Sequence, residues 1–461
     1  MVKSETSIAA ADQYVVEAWN DSTGFVSFCP SPNSKEELTG FAFSNDGGKS
    51  FTDLGGLPNI GCATTVYVGD PSVEAWETQG QHYFYISSLF ADITTFSLEV
   101  AVTACQVIGS DTSATLSCGQ PIVVATSPTG PGGFSSLDKD FAAIDPRRGR
   151  LYITYADFGA DDSIALAACD LMNNPLQPIC SNGSSNGPIY VVVARPDPNF
   201  CENNGAYPAV DVSSGDVYVA YEHNWPSNFA FGACTTDPTK AVVTRIPAAC
   251  LTLPGPSRCK GPFTQTAELV TSLSGAFIPG YNRFPMNDYP RIAVSSVHKT
   301  VSIVWNDARF NPTGDILLQS WSTGSEFPAR VQFQPVVIND AKTAGEGWQF
   351  LPGMRNTDDE GDLYINWYGR GIPTTSITDV YEAVGISPLI GATPTNIRIT
   401  NVSSDWNAVS SDIIPNFGDY TDNYVGAIGS LAPPFTDQKI YSAWSAGRLG
   451  LPQPFAAQIT H

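Results

Sequence analysis

No apolar run in this chain approaches the ~18 residues that a bilayer-spanning helix needs, and no Cys-x-x-Cys pair marks a zinc site. Charge is scarce. Only 15% of the 461 residues are charged, and Lys and Arg number 23 against 45 Asp and Glu. The resulting net charge of −22 makes nucleic acid a poor partner, because that surface demands a basic face. No long helical period stands out. Histidine is limited to four positions, His82, His223, His298 and His461, so any imidazole chemistry has few places to sit. No leader is visible either: Met1-Val2-Lys3-Ser4 runs straight into Ile8-Ala9-Ala10, as expected of an exported chain whose signal has been removed.

What is present is turn chemistry and aromatic surface: 40 Gly and 35 Pro punctuate short β runs rich in the 9 Trp, 18 Tyr and 24 Phe. Ten cysteines fall in neighbouring pairs: Cys29/Cys62, Cys105/Cys118, Cys169/Cys180, Cys201/Cys234 and Cys250/Cys259. Such spacing reads as short-range disulfides in a secreted protein. Asn20-Asp21-Ser22, Asn182-Gly183-Ser184 and Asn401-Val402-Ser403 are sequons. The acidic surface favours solubility.

One pattern recurs seven times: a short apolar strand, a polar turn, and a strand ending in an aromatic and a polar residue. Its copies include Ser7–Ala9 with Tyr14–Asp21, Gly69–Val73 with Tyr83–Ile86, Asp138–Asp157, Ala206–His223, Asp288–Asp307, Trp348–Trp367 and Gly418–Trp444. Each is followed by one or two further β runs. Seven such copies predict an all-β fold, a seven-bladed β-propeller of four-stranded antiparallel blades. A pair of stacked β-sandwiches is the alternative. The ring is expected to form one domain over residues 1–461, with the N-terminal segment pairing into the C-terminal blade.

Between two apolar runs lies Ser44-Asn45-Asp46-Gly47-Gly48-Lys49-Ser50-Phe51, of the form Ser-x-Asp-x-Gly-x-Ser-aromatic. Asp46 can accept backbone N–H groups across a tight turn for which Gly47 and Gly48 supply positive φ. Ser320–Phe327 keeps that frame but has lost the Asp. The Ser44–Phe51 motif resembles the Asp-box (BNR) repeat of the secreted sialidase-like β-propellers. Trp19-Asn20-Asp21, Asp138-Lys139-Asp140-Phe141, Trp305-Asn306-Asp307-Ala308-Arg309 and Phe417-Gly418-Asp419-Tyr420 extend the likeness along the chain. The family's well-studied members have six blades, so a six-bladed sialidase fold is the alternative ring that the resemblance implies. It also implies glycosidase chemistry with three arginines clamping a substrate carboxylate. The family's Phe/Tyr-Arg-Ile-Pro motif is missing from the first repeat, and Tyr281-Asn282-Arg283-Phe284-Pro285 is a distant echo in another place.

In such a ring, inner-strand starts and second-strand ends share one face and aim at one funnel. Arg309, Arg370 and Arg448 follow Trp305, Trp367 and Trp444 at similar spacing, which suits bidentate binding of a carboxylate. Tyr207 and Tyr420 would join them against substrate. Glu222 beside Tyr221 or Tyr289 reads as a nucleophile pair, and Asp70 or Asp140 as a proton donor. His223 with Tyr207 or Tyr289 would instead suit a uronate lyase. Asp70, Asp138, Asp140 and Asp419 offer oxygen ligands for a structural Ca²⁺. No other cofactor is required. Trp225, Trp348 and Tyr368 would either stack on sugar or fill blade interfaces. The leading expectation is a monomeric, exported enzyme acting on an anionic glycan by glycosidase-type hydrolysis. A polysaccharide lyase and a non-catalytic propeller that binds glycan or protein are the alternatives.

Overall fold

The structure, a computed structural model, describes residues 2–25, 38–95, 97–126, 136–158, 163–180, 190–194, 203–224, 238–251, 259, 261–272, 277–283, 286, 289–357, 360–426 and 439–459. Cys29, Cys201, Cys234, Trp225 and Asp288 lie outside these residues.

Seven antiparallel sheets follow one another along the chain, with strands side by side in sequence order, save that in three of them a fifth strand pairs with the third. Their inner strands are Lys3–Ala11, Thr65–Thr78, Leu137–Asp145, Asn203–Val210, Arg291–Ser295, Gln349–Asn356 and Asp422–Gly426. Each contacts the inner strand of the next blade, and the seventh contacts the first, so the ring is closed. This is the seven-bladed propeller that the repeats predict. The second strands are apolar on both faces because a neighbouring blade covers each side. Leu151 to Ala156 and Val301 to Trp305 are buried without alternation for this reason.

Closure differs from the expected strand exchange. Lys3–Ala11 pairs with Tyr14–Asp21 and heads its own four-stranded blade, while the seventh sheet has three strands among the described residues. First and last blades are joined directly as well: the Lys3 amide donates to the Pro452 carbonyl at 2.9 Å, Ser7 Oγ donates to Asp422 at 2.7 Å, and Ser445 Oγ donates to the Lys3 carbonyl at 3.0 Å. Polar residues also clip successive blades elsewhere. Asn366 donates to the Asp422 carbonyl at 2.8 Å, and Thr154 to the Ala206 carbonyl at 2.7 Å.

The inner strands share one irregularity. In five blades a single extra residue enters just past the strand start: Glu5-Thr6, Asp70-Pro71, Lys139-Asp140, Gly205-Ala206 and Leu351-Pro352 each face one residue of the second strand. The first bulge residue is left-handed every time, with φ of 54° at Glu5, 54° at Asp70, 52° at Lys139, 64° at Gly205 and 51° at Leu351. A non-glycine residue there costs about 1–2 kcal/mol. Such bulges re-aim side chains next to functional sites.

Three disulfides, Cys105–Cys118, Cys169–Cys180 and Cys250–Cys259, match the neighbouring pairs in the sequence and fit an oxidising compartment. Cys62 is also disulfide-bonded, and its expected partner Cys29 lies outside the described residues. Among the described residues no helix is long and apolar enough to cross a membrane. The Ser44–Phe51 turn is built on Asp46, which accepts from the Lys49 and Ser50 amides at 3.0 Å each and from Ser50 Oγ at 2.6 Å. Gly47 and Gly48 take φ of 77° and 79°, and Phe51 packs on the core.

Candidate functional site

The bulges of the first three blades turn Glu5, Asp70 and Lys139 toward one another at the axial mouth. Lys139 Nζ lies 2.8 Å from Asp70 Oδ2, 3.1 Å from Asp419 Oδ2 and 3.5 Å from Glu5 Oε1. Arg283 Nη1 donates to Asp419 Oδ2 at 2.8 Å, and Tyr281 Oη donates to Asp419 Oδ1 at 3.1 Å. The Asp419 amide donates to Glu5 at 3.0 Å. Asn20 closes the ring of contacts: its amide donates to Glu5 and, at 3.2 Å, to Asp70, while its carbonyl oxygen accepts from the Asp70 amide at 2.5 Å. The Asn20 sequon is therefore spent inside the fold.

These residues border a cavity of about 270 Å³. Its wall carries Glu5, Asp21, Asp70, Asp138 and Asp419 against two cations, Lys139 and Arg283. The acids are not equivalent. Burial raises the Asp138 carboxyl to about 6, opposed by Lys139 and aided by the nearby Asp70 charge. Burial, then Asp70, pushes Glu5 well above the usual carboxylate range. Burial works against ionised Asp70 too, but the Lys139 ammonium and hydrogen bonds from its neighbours hold it well below that range. Burial opposes the Lys139 charge, yet Asp70, Glu5 and Asp419 more than restore it. One cavity thus holds an acid poised near neutrality beside one fixed as its anion.

The expected residues divide. Asp70, Asp138 and Asp419 reach this cavity. Asp140 does not: as the second bulge residue it turns away from the mouth and is fully buried, with Ser87 beside its carboxyl. Burial pushes its carboxyl well up. Tyr207 and Tyr420 lie deeper and plug the axis with Phe141. Tyr207 stacks on Phe141 at 3.5 Å between ring centres, and Tyr420 meets Phe141 edge-on at 5.3 Å. Tyr289 is buried against Gly205, where any Cβ would collide with its ring. Glu222 is buried on the second strand of the fourth blade, and His223 Nδ1 lies 2.8 Å from Asn203 Oδ1. Trp348 and Tyr368 are buried between blades, which settles them as interface rings.

The three arginines do not line the cavity and share no partner among their described contacts. Arg309 forks onto Asp307, with Nη2–Oδ2 at 2.7 Å, and caps the Val270 carbonyl at 2.6 Å. Arg370 is buried beneath Phe350 and Trp406, donating to Thr378 at 2.9 Å and the Thr375 carbonyl at 3.0 Å. Burial lowers it to about 9. Arg448 lies 3.7 Å over the Phe455 ring and donates to Asn401 at 2.8 Å. The guanidinium at the mouth is instead Arg283, from the Tyr281–Pro285 echo. For calcium, the Lys139 ammonium already stands among the carboxylates. Among the described residues no group of three or more His, Cys, Asp or Glu is arranged to hold a metal.

Sequence reasoning missed Glu5, Asn20 and Lys139 as site residues. Two of the three had a readable signal: Glu5-Thr6-Ser7-Ile8 aligns with Asp70-Pro71-Ser72-Val73, and Lys139 sits inside the quoted Asp-Lys-Asp-Phe string.

No family model matches the chain, and no curated protein matches it. Among solved structures, it is similar to the GH93 α-L-arabinofuranosidase of Fusarium graminearum in complex with arabinobiose. That pair has a TM-score of 0.42 and 11% identity, over 81% of this chain and 89% of the other. The sialidase of Trypanosoma rangeli in complex with the inhibitor DANA gives a TM-score of 0.43 and 13% identity, over 98% and 70%. An exo-1,5-α-L-arabinanase from a bovine ruminal metagenomic library gives 0.36 and 12%, over 71% and 96%.

Proposed function

We propose that the chain is an exported glycoside hydrolase whose active site is the axial mouth between Asp138 and Asp70. The observation that carries this reading is the split between those two carboxyls within one cavity. Asp138, its carboxyl raised to about 6, keeps its proton in mildly acidic solution and gives it to the departing glycosidic oxygen. Asp70, kept ionised by Lys139, takes a proton from the water that attacks the anomeric carbon. One C–O bond breaks, one forms, and the enzyme's protons balance. Asp70 is the base here, and not the donor that its position in the sequence suggested, because a carboxyl held so low carries no proton to give.

The wall also bears on the substrate. Its acids outnumber its cations, and both cations are engaged by Asp419. That charge favours a neutral glycan over the anionic one that an arginine clamp would select. The test is reducing-sugar release from a panel of neutral and acidic glycans, read beside the ultraviolet absorbance of an unsaturated lyase product. Hydrolysis of neutral substrates, lost in Asp138→Asn and in Asp70→Asn, is the expected result. Turnover confined to acidic glycans, an unsaturated product, or no turnover on any substrate refutes it. Saturable binding without turnover would point to a glycan-binding module, a reading favoured by the completeness of the cage around Lys139.

A further inference from the structure

Below the mouth, residues of the inner strands meet at the axis, four of them just past a bulge. Ser7, Ser72, Phe141, Tyr207, Arg291 and Asp422 enclose a void of about 20 Å³, room for one water-sized species. The Arg291 guanidinium lies 3.8 Å over the Tyr207 ring, which fixes its plane. Its Nη2 donates to the Thr421 carbonyl at 2.7 Å and to Asp422 Oδ1 at 3.1 Å. Its Nη1 has no hydrogen-bond partner among the described residues, although Arg291 is only 5% exposed. A buried donor left without an acceptor is costly, and more so when charged. Something in the void accepts from it.

The wall indicates what kind of group that is. Asp422, its carboxylate, already accepts four hydrogen bonds: Ser7 Oγ at 2.7 Å, the Ile8 amide at 3.2 Å, Arg291 at 3.1 Å and the Asn423 amide at 2.9 Å. Ser7 Oγ gives its proton to Asp422 and accepts from the Val73 amide at 3.0 Å. Ser72 Oγ accepts from the Ala142 amide at 3.0 Å, which leaves its own proton to donate. A second guanidinium, Arg355, borders the void. The Tyr207 and Tyr420 hydroxyls also border the void, have no hydrogen-bond partner among the described residues, and each has a proton to give. With two guanidinium groups on the wall against the single carboxylate of Asp422, an anion satisfies these donors together.

We propose that the axial void binds a small monovalent anion, chloride in ordinary solution, held by Arg291 Nη1 and the Ser72 hydroxyl. The ion ties the second blade to the fifth across the ring. Because it binds the folded chain alone, it stabilises the fold by mass action. The proposal does not depend on any catalytic role for the mouth above it.

Crystals grown in sodium bromide, with diffraction data recorded at the bromine edge, test this directly. An anomalous peak is expected in the void, within hydrogen-bond reach of Arg291 Nη1. Thermal unfolding in chloride and in gluconate, at matched ionic strength and pH, should differ by several degrees in favour of chloride. The difference should disappear in Ser72→Ala and in Arg291→Met. A void without a bromine signal, or equal melting of the wild type in both salts, overturns the proposal. Should Arg291→Met fail to fold, the wild-type bromine map and Ser72→Ala still decide it.

Discussion

Lys139 Nζ and Asp70 Oδ2 meet at 2.8 Å, and each residue occupies the left-handed bulge position of its own blade. Two strained backbones are thus held by one ion pair, with Asp419 and Glu5 completing the shell. Replacing Lys139 by Met takes the counter-ion from buried Asp70 and Glu5, while Asp419 keeps only Arg283 among its described ion pairs. A loss of about 3–5 kcal/mol is expected, read as a lower urea midpoint. Asp70→Asn in the same background should restore part of it, and a double-mutant cycle measures the coupling.

The pH dependence of stability follows from acids pushed upward. Burial raises Glu17 to about 8, and raises Glu74 and Glu382 to about 7 each. The unfolded chain releases these protons near pH ~4.3. Between that value and the folded one, the folded state binds more protons, so stability falls as pH rises. Asp70 and Asp46 act oppositely. Asp46 is lowered to about 2, chiefly by the Ser50 hydroxyl, so its contribution fades in strong acid. Melting temperature is expected to peak at mildly acidic pH and to decline toward pH ~8. Glu17→Gln should remove part of the decline, on the order of 3 kcal/mol at neutral pH, and change nothing near pH ~4.

Arg283 and the three Trp-linked arginines should behave differently in an activity assay. Arg283→Ala removes a cation from the cavity wall and from Asp419. Turnover is expected to drop by about tenfold or more, equal to ~1.4 kcal/mol in the barrier. Arg309→Ala and Arg448→Ala cut contacts to Asp307 and Asn401 outside that wall and should leave kcat/KM unchanged. A steep loss in either of the latter would restore the clamp.

Chelation gives a further check. The Lys139 ammonium fills the centre between Asp70 and Asp419, the place a metal cation would need. EDTA is expected to leave the melting temperature as it was. A clear drop would show a metal stabilising the fold.

The ring was legible because the Trp-ended second strands repeat, and each must be apolar on both faces to fit between neighbours. Asp70, Asp138 and Asp419 were found because strand starts converge on one mouth in any such ring. The arginines misled because similar spacing after Trp305, Trp367 and Trp444 fixes the position of a residue on the chain but not the direction of its side chain. Asp307, Thr378 and Asn401 each capture one locally. Glu5 and Lys139 escaped for the converse reason. A one-residue bulge changes where a side chain points while leaving the strand pattern intact. Strand exchange at closure was inferred from a first copy read as beginning at Ser7, whereas the strand starts at Lys3.

The bulge position makes the mouth separable from the wheel that carries it. Glycine holds that place at Gly205 and leucine at Leu351, while Glu5, Asp70 and Lys139 supply the charge. Each of these five blades therefore offers a socket whose occupant can be exchanged without disturbing the sheet behind it. New specificities on this scaffold need only a change of tooth, with the gear left whole.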